Sequence, residues 1–395
     1  MAERFYLQDS WSGGLSDSAK VGLKGSIYEG VGLDIRSDPD AIKVSQALTK
    51  ESGATVTQLC KYSVMDNAGV SYWFGDGGKV FKRTVAGVWS EVHSGTVEVV
   101  GAAIHNQNVF WATDTLLQRI TTANASADTT WSAGSIVTVT SSLNQTVVGF
   151  HPMVAHGLYL YIADATQIST VDDANVYTKG GTPDVTLAAL PYNHLISAIG
   201  KFGIDIIAGT RWGGSEVQTN LAEVVRWDTV SPTYITQDNI EEDGINGFFV
   251  HNNYTFVQAG SRGNIYFFDG AKLNRRKTIR GTYANRKMTM HPGSQTNFLG
   301  NAMFGVSNLS GNPALEGVYS YSQIDENYPL SLMLEYVTSF GTLTGMDYGA
   351  LLSAGTALLV AWEHTSGTRG VDRIDYGTKY GSAYFKTMAV TGNRR

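Results

Sequence analysis

A chain of 395 residues that is 43% hydrophobic is long enough to bury a large core, and a net charge of −6 with only 16% charged residues gives no global attraction to nucleic acid or an anionic membrane. The single cysteine, Cys60, excludes an intramolecular disulfide framework and reads as a small core residue. No apolar run approaches the ~20 residues that span a bilayer, and the opening MAERFYLQDSWSGG lacks the basic end and apolar stretch of a secretory signal.

In chain order, residues 1–30 are rich in Gly and Ser and too poor in apolar residues to make a core of their own, so they read as an extended N-terminal arm ordered by neighbouring subunits, a disordered tail being the alternative. Residues 31–395 read as one domain. Within them AIKVSQAL, Ala41 to Leu48, is strand-like and is expected to pair with SAYFKTMAV, Ser382 to Val390, joining the two ends. A unit of apolar strand, polar turn and second strand then recurs at intervals of about 45 to 50 residues. It reads VSYWFGDGGKVFKR from Val70, NVFWATDTLLQRI from Asn108, LYLYIADATQISTVD from Leu158, and IDIIAG from Ile204 with EVVRWD after an inserted loop. The later copies are YTFVQAGSRGNIYFFDG from Tyr254, NAMFGVSNLSGNPALEGVYSYS from Asn301 and ALLVAWEHTSGTRGVDRIDYG from Ala357.

A strand precedes each pair (HLISAIGKF, GINGFFVHN, DYGALLSAG) and a more polar one follows it (GVWSEVHSG, KLNRRKTIR). Near-continuous apolar runs in the paired strands demand cover on both faces, which radial stacking of sheets supplies. The 44 glycines stand at the ends of these runs, as tight turns require. The expected fold is therefore all-β: a single closed β-propeller of about seven four-stranded blades, six being the alternative, with an extended N-terminal arm. A string of immunoglobulin-like or jelly-roll sandwiches would not need the sustained period.

Signs of chemistry are few. The chain has no phosphate-binding G-x-x-x-x-G-K-[ST], no H-E-x-x-H, no G-x-S-x-G elbow and no cysteine pair for zinc, so no catalytic, cofactor or metal residue is assigned. SADTTW, Ser126 to Trp131, lacks the glycine and the spacing of a sialidase turn motif and reads as a loop followed by a strand Trp. His151 and His291 precede Pro in equivalent places of their repeats and read as turn-packing residues. QDNIEEDG gathers Asp238, Glu241, Glu242 and Asp243 without the spacing of a calcium loop. A basic segment runs from Lys272 to Lys287. Within it Arg275, Arg276, Lys277 and Arg280 are candidates for contact with an acidic protein surface; direct DNA binding is disfavoured, since only Tyr283 offers a stacking ring. Trp212, in the Gly-flanked insertion GTRWGGSEVQTN, is a candidate interface anchor or sugar-stacking platform, while the strand tryptophans read as blade core.

The phrases FGVSNLSGNPALEGVYSYSQ, GVDRIDYGTKYGSAYFKT, INGFFVHNNYTFVQAGSRGNIYFFDG and SVMDNAGVSYWFGDGGKVFKR resemble the β-propeller structural proteins of tailed bacteriophages, over about residues 30 to 390. The resemblance implies a noncatalytic virion component of the tail, made in the host cytoplasm. Its partners would be other tail proteins, further copies of itself and, as an alternative role, a host-surface receptor or glycan; a glycan-cleaving propeller is a third. No functional residues transfer with it.

Overall fold

The computed structural model describes residues 11–16, 25–38, 41–144, 150–180, 194–212, 221–231, 233–251, 253–279, 288–307, 315–323, 330–341 and 343–387. Each repeat unit folds as an antiparallel meander. In blade 1 these are Cys60–Met65, Ser71–Gly75, Lys79–Arg83 and Trp89–Ser94. Ser71–Gly75, the SYWFG of the first pair, is buried at every position, whereas Trp89–Ser94 is half exposed. Burial on two faces thus selects the continuous apolar run, and the outer edge tolerates polar residues.

Blades 2 to 5 repeat the pattern over 101–140, 153–178, 194–240 and 245–278. Next comes a seven-stranded sheet whose first four strands, Gln295–Phe298, Asn301–Val306, Gly317–Ser322 and Ser331–Tyr336, form the same meander. A closing blade, 346–379 with Gln46–Lys50 as its outer strand, completes a set of six four-stranded blades and one larger sheet. The first strand of each sheet lies beside the first strand of the next, and Met346–Ala354 packs back on Cys60–Met65. The propeller is therefore all-β and closed, as the repeats predict. The only helix among the described residues is Thr122–Ala127, in the last connection of blade 2; it takes in the first two residues of SADTTW, the rest is loop as expected, and Trp131 is buried outside any strand.

Closure uses different partners from those expected. Gln46–Lys50 pairs antiparallel with Asp372–Lys379, the long third strand of the closing blade. Tyr384–Thr387 instead leaves that blade and pairs with Ser26–Val31 in the seven-stranded sheet. The eleven-residue strand Arg369–Lys379 already offers the free edge that 46–50 needs, so the last strand is released to its neighbour. The expected boundary at residue 30 falls inside Ser26–Val31, and the described part of the expected arm lies on the outer edge of the sheet. Ile27 and Val31 are fully buried, and Gly14–Leu15 pairs parallel with Ser26 and Ile27. The Arg36 guanidinium, buried against Ser320 and Glu335, fastens the chain that follows. This edge-capping removes open backbone that would otherwise template foreign strands.

The core lies between sheets. Phe74, Trp111 and Trp131 interleave blades 1 and 2, while Trp73, Phe81, Ala350 and Leu359 join blade 1 to the closing blade. Cys60 is buried in the second of these, and burial pushes its thiol pKa up, so it is an inert core residue. At the axis the inner strands come so close that a Cβ on Gly101 would stand 1.8 Å from the His151 carbonyl oxygen.

Candidate functional site: the axial mouth

The first strands all begin at one end of the axis, and the residues at those beginnings line an open cavity of 290 Å³. Lys61 comes from blade 1 and Glu98 from the connection into blade 2, their side chains 2.5 Å apart. Phe150 precedes blade 3, Asp243 and Asn246 open blade 5, and His291 precedes the seven-stranded sheet. Below the mouth the axis narrows to 190 Å³ between inner-strand residues including Tyr62, Ala102, Met153, Ile199 and Leu351.

Arg211 dominates the mouth. It stands near the end of Asp205–Trp212, and its Nη2 donates to Asn246 Oδ1 at 2.6 Å. Its side chain lies across Gly244, where a Cβ would come within 2.7 Å of Nε. Nε is buried with no hydrogen-bond partner among the described residues. Burial lowers the guanidinium pKa, opposed by the nearby Asp243 carboxylate. Asp243 is itself held by the Ser261 N–H at 2.8 Å. Across the cavity His291 Nε2 meets Asp347 at 3.1 Å. Burial would raise the Asp347 pKa, but the His291 hydrogen bond and charge, Ser307 and Lys61 together hold it below the usual carboxylate range.

Trp212, the next residue on that strand, is not among the residues lining the cavity. It sits directly opposite His194 in the sheet, with the two rings edge-on at 5.6 Å. His194 is buried, its Nδ1 facing Thr210 Oγ1 at 3.2 Å, and burial lowers its pKa. Behind it Glu223 is 1% exposed, and burial raises its carboxyl from the ordinary 4.5 to about 7.

The basic candidates are elsewhere. Arg275, Arg276 and Lys277 lie on Leu273–Thr278, the outer strand of blade 5. Arg275 and Arg276 are exposed, Arg276 resting 5.2 Å over the Phe267 ring, while Lys277 Nζ donates to the Leu15 carbonyl at 2.7 Å and so ties the N-terminal segment to blade 5. Lys272 pairs with Asp238 at 2.8 Å. Arg280 lies outside the described residues. The structure therefore does not bring the basic strand together with Trp212.

The acidic turn is similarly engaged: buried Glu242 accepts from Asn264 Nδ2 and the Tyr266 hydroxyl. Among the described residues no three His, Cys, Asp or Glu side chains group to hold a metal. His151 is buried between the Ala163 and Asp114 carbonyls, a packing role. Sequence reasoning did not single out Lys61, Glu98, Arg211, Asn246 or Asp347. The available signal was positional, since Lys61, Glu98, Asn246 and Asp347 lie beside the start of a first strand and Arg211 near the end of a second, which reaches the same end of the axis.

No protein-family model matches the sequence, and no curated protein does. Solved β-propellers do match in fold. The WD40 propeller domain of Doa1 aligns with TM-score 0.56 and 9% identity, covering 84% of this chain and 97% of that one. The β-propeller domain of Cps50 (Swd1) from Myceliophteria thermophila aligns with TM-score 0.53 and 10% identity over 80% of this chain and 97% of its own. YCF48 bound to D1 peptide aligns with TM-score 0.51 and 8% identity over 84% and 97%. These likenesses establish the β-propeller class and nothing finer.

The expected role in a bacteriophage tail is overturned by the same comparison, because the neighbours are Swd1, Doa1 and YCF48 propellers. The phrases that carried the resemblance are blade strands with their turns, first, second or third in the meander, and in one case the strand Tyr384–Thr387 as well. Their apolar runs and glycines answer to the packing of a blade, which every propeller shares. Among the described residues no helix is long and apolar enough to cross a membrane.

Proposed function

We propose that the protein is a noncatalytic binding module that holds a segment of a partner protein at the axial mouth. The observation that carries this reading is Arg211, held over Gly244 on a 290 Å³ cavity with an Nε that has no partner among the described residues. A buried donor left unmatched favours a ligand that brings an acceptor, and a ligand that extends past the strand end would meet the Trp212 indole, which gives apolar contact at small entropic cost. Lys61, Glu98, Asp243 and Asp347 set charges of both signs around it, which suits a polar peptide better than an apolar one. YCF48, similar in fold, has been observed with a D1 peptide. Arg275 and Arg276 remain exposed on the outer strand and offer a separate, weaker contact for an acidic surface.

The test is selection of a random peptide library on the purified protein, followed by affinity measurement on Arg211→Met and Trp212→Ala. Selected peptides are expected to weaken at least about fivefold on each variant, the factor that corresponds to ~1 kcal/mol. Peptides that bind both variants as tightly as the parent would overturn the assignment.

A further inference from the structure

Because the first strands begin at the mouth, the turns joining first to second and third to fourth strands all lie on the opposite face. That face carries large apolar side chains at its turn tips: Leu158 on blade 3, Ile204 and Val230 on blade 4, Val250 and Tyr254 on blade 5, and Leu299 on the seven-stranded sheet. Ile204 is 83% exposed and Val230 77%. They follow one another round the ring, and a cavity of 330 Å³ lined by Phe248, Phe249 and Val250 opens between the inner strands beside them. Isolated exposed apolar residues need no explanation, but their recurrence on the same face of four consecutive sheets beside an open cavity marks a candidate interaction surface.

The arc is also rigid. His156 Nε2 meets the Ile204 carbonyl at 2.7 Å, binding the blade 3 turn to that of blade 4. Thr236 Oγ1 donates to the Gly270 carbonyl at 2.8 Å, and His251 Nδ1 meets the Gly300 carbonyl at 2.9 Å, continuing through blade 5 to the next sheet. A preformed surface loses little entropy on docking.

Backbone conformation gives an independent sign. Leu299 and Gly300 form a two-residue hairpin turn with φ of +48° and +79°, between paired Phe298 and Asn301. This turn favours Asn-Gly, and the equivalent turn of blade 2 indeed carries Asn106 with φ +40°. Leu299 is thus placed where both water and backbone disfavour it. Thr229, beside Val230, is likewise left-handed at +66°. Strain held at an exposed apolar tip points to a use for that side chain.

Charge selects the occupant. Asp172, Asp228 and Asp269 each open the outer turn of their blade by accepting from backbone N–H groups, and Asp173 is exposed beside the first. These hydrogen bonds keep the carboxyls of Asp228 and Asp269 below their usual pKa, so the fringe is anionic. Of the cations near these turns among the described residues, Arg226 is spent on Asp205, Lys272 on Asp238 and Arg36 on Glu335, Arg119 donates to Asn108, and Lys201 is exposed. A second copy of a chain with net charge −6 would set acid against acid.

We propose that this face, distinct from the mouth, docks a partner segment whose apolar side chains are flanked by lysine or arginine. The probes are two synthetic amphipathic peptides of identical spacing, one of Leu and Lys and one of Leu and Glu, titrated onto the full chain at physiological salt. The Leu-Lys peptide is expected to bind at least about tenfold more tightly than the Leu-Glu peptide. Ile204→Ser with Leu299→Asn should remove that binding, while Arg211→Met leaves it unchanged; loss with Arg211→Met alone would move it to the mouth and overturn the proposal. Equal binding of the two peptides, or binding indifferent to the double substitution, overturns it too. Sedimentation that shows dimerisation of the parent, abolished by the double substitution, would assign the face to a second copy instead.

Discussion

The two faces of the propeller are built from the same strands yet present opposite chemistry. The mouth is charged: Lys61 with Glu98, Arg211 near Asp243, and His291 with Asp347 surround an open cavity. The turn face is apolar at its tips and fastened by hydrogen bonds to backbone carbonyls. The difference lies in what each end has to close. Connections between blades arrive at the mouth and bring polar, adaptable loops. Hairpin turns on the other face are short and sterically defined, so an apolar residue there projects without a neighbour to cover it.

The largest expected effect comes from breaking the frame that separates the faces. Gly101→Val would drive side-chain atoms into the His151 carbonyl, since a Cβ alone would lie 1.8 Å from it. A loss of about 4 kcal/mol or more in chemical denaturation is expected, with both peptide-binding activities lost together.

Next is Glu223, buried on the mouth side of blade 4. Its neighbours are Gln237, which donates to Oε1, Thr210, which accepts from its N–H, and Tyr234, whose hydroxyl pKa is raised by burial and by this carboxylate. With a folded pKa of about 7 against 4.5 unfolded, the folded state keeps a proton that the unfolded chain has released. Stability should therefore fall as pH rises from 4.5 to about 7, by about 3 kcal/mol in total, and level off above. Glu223→Gln is expected to flatten this slope and to be the more stable form at pH 8, as thermal melts across that range would show. A slope unchanged by the substitution would place the titration elsewhere.

Gly244→Ala acts on the mouth alone. The added methyl meets Arg211 Nε at 2.7 Å and its Cγ at 2.9 Å, so the guanidinium must leave Asn246. A cost of about 1–2 kcal/mol is expected, with mouth-selected peptides weakened and the Leu-Lys peptide unaffected. Leu299→Asn should do the reverse with the smallest energetic change. It places a residue suited to φ +48° in the turn, so a gain of about 0.5 kcal/mol is expected while docking on the turn face is lost. Equal loss of both activities in either variant would erase the distinction between the faces.

The sequence by itself determined the all-β propeller and nearly every second and third blade strand, because burial on both faces writes itself as continuous apolar runs such as SYWFG and NVFWA. It also determined that Trp73, Trp111, Trp227 and Trp362 are core. Closure was legible only in kind. A strand near residue 46 does complete the last blade, but local pattern cannot rank the edges on offer, and Tyr384–Thr387 went to the N-terminal strand instead. Trp212, Asp243 and His291 were legible as separate anomalies, whereas the site was not: Lys61, Glu98, Asp243, His291 and Asp347 converge through ring closure across most of the chain. The same limit applies to the apolar arc. Leu158, Ile204 and Leu299 each look incidental in a strand-turn-strand sequence, and only the shared direction of the first strands puts them on one face, because pairing fixes where a turn points while closure fixes which turns are neighbours.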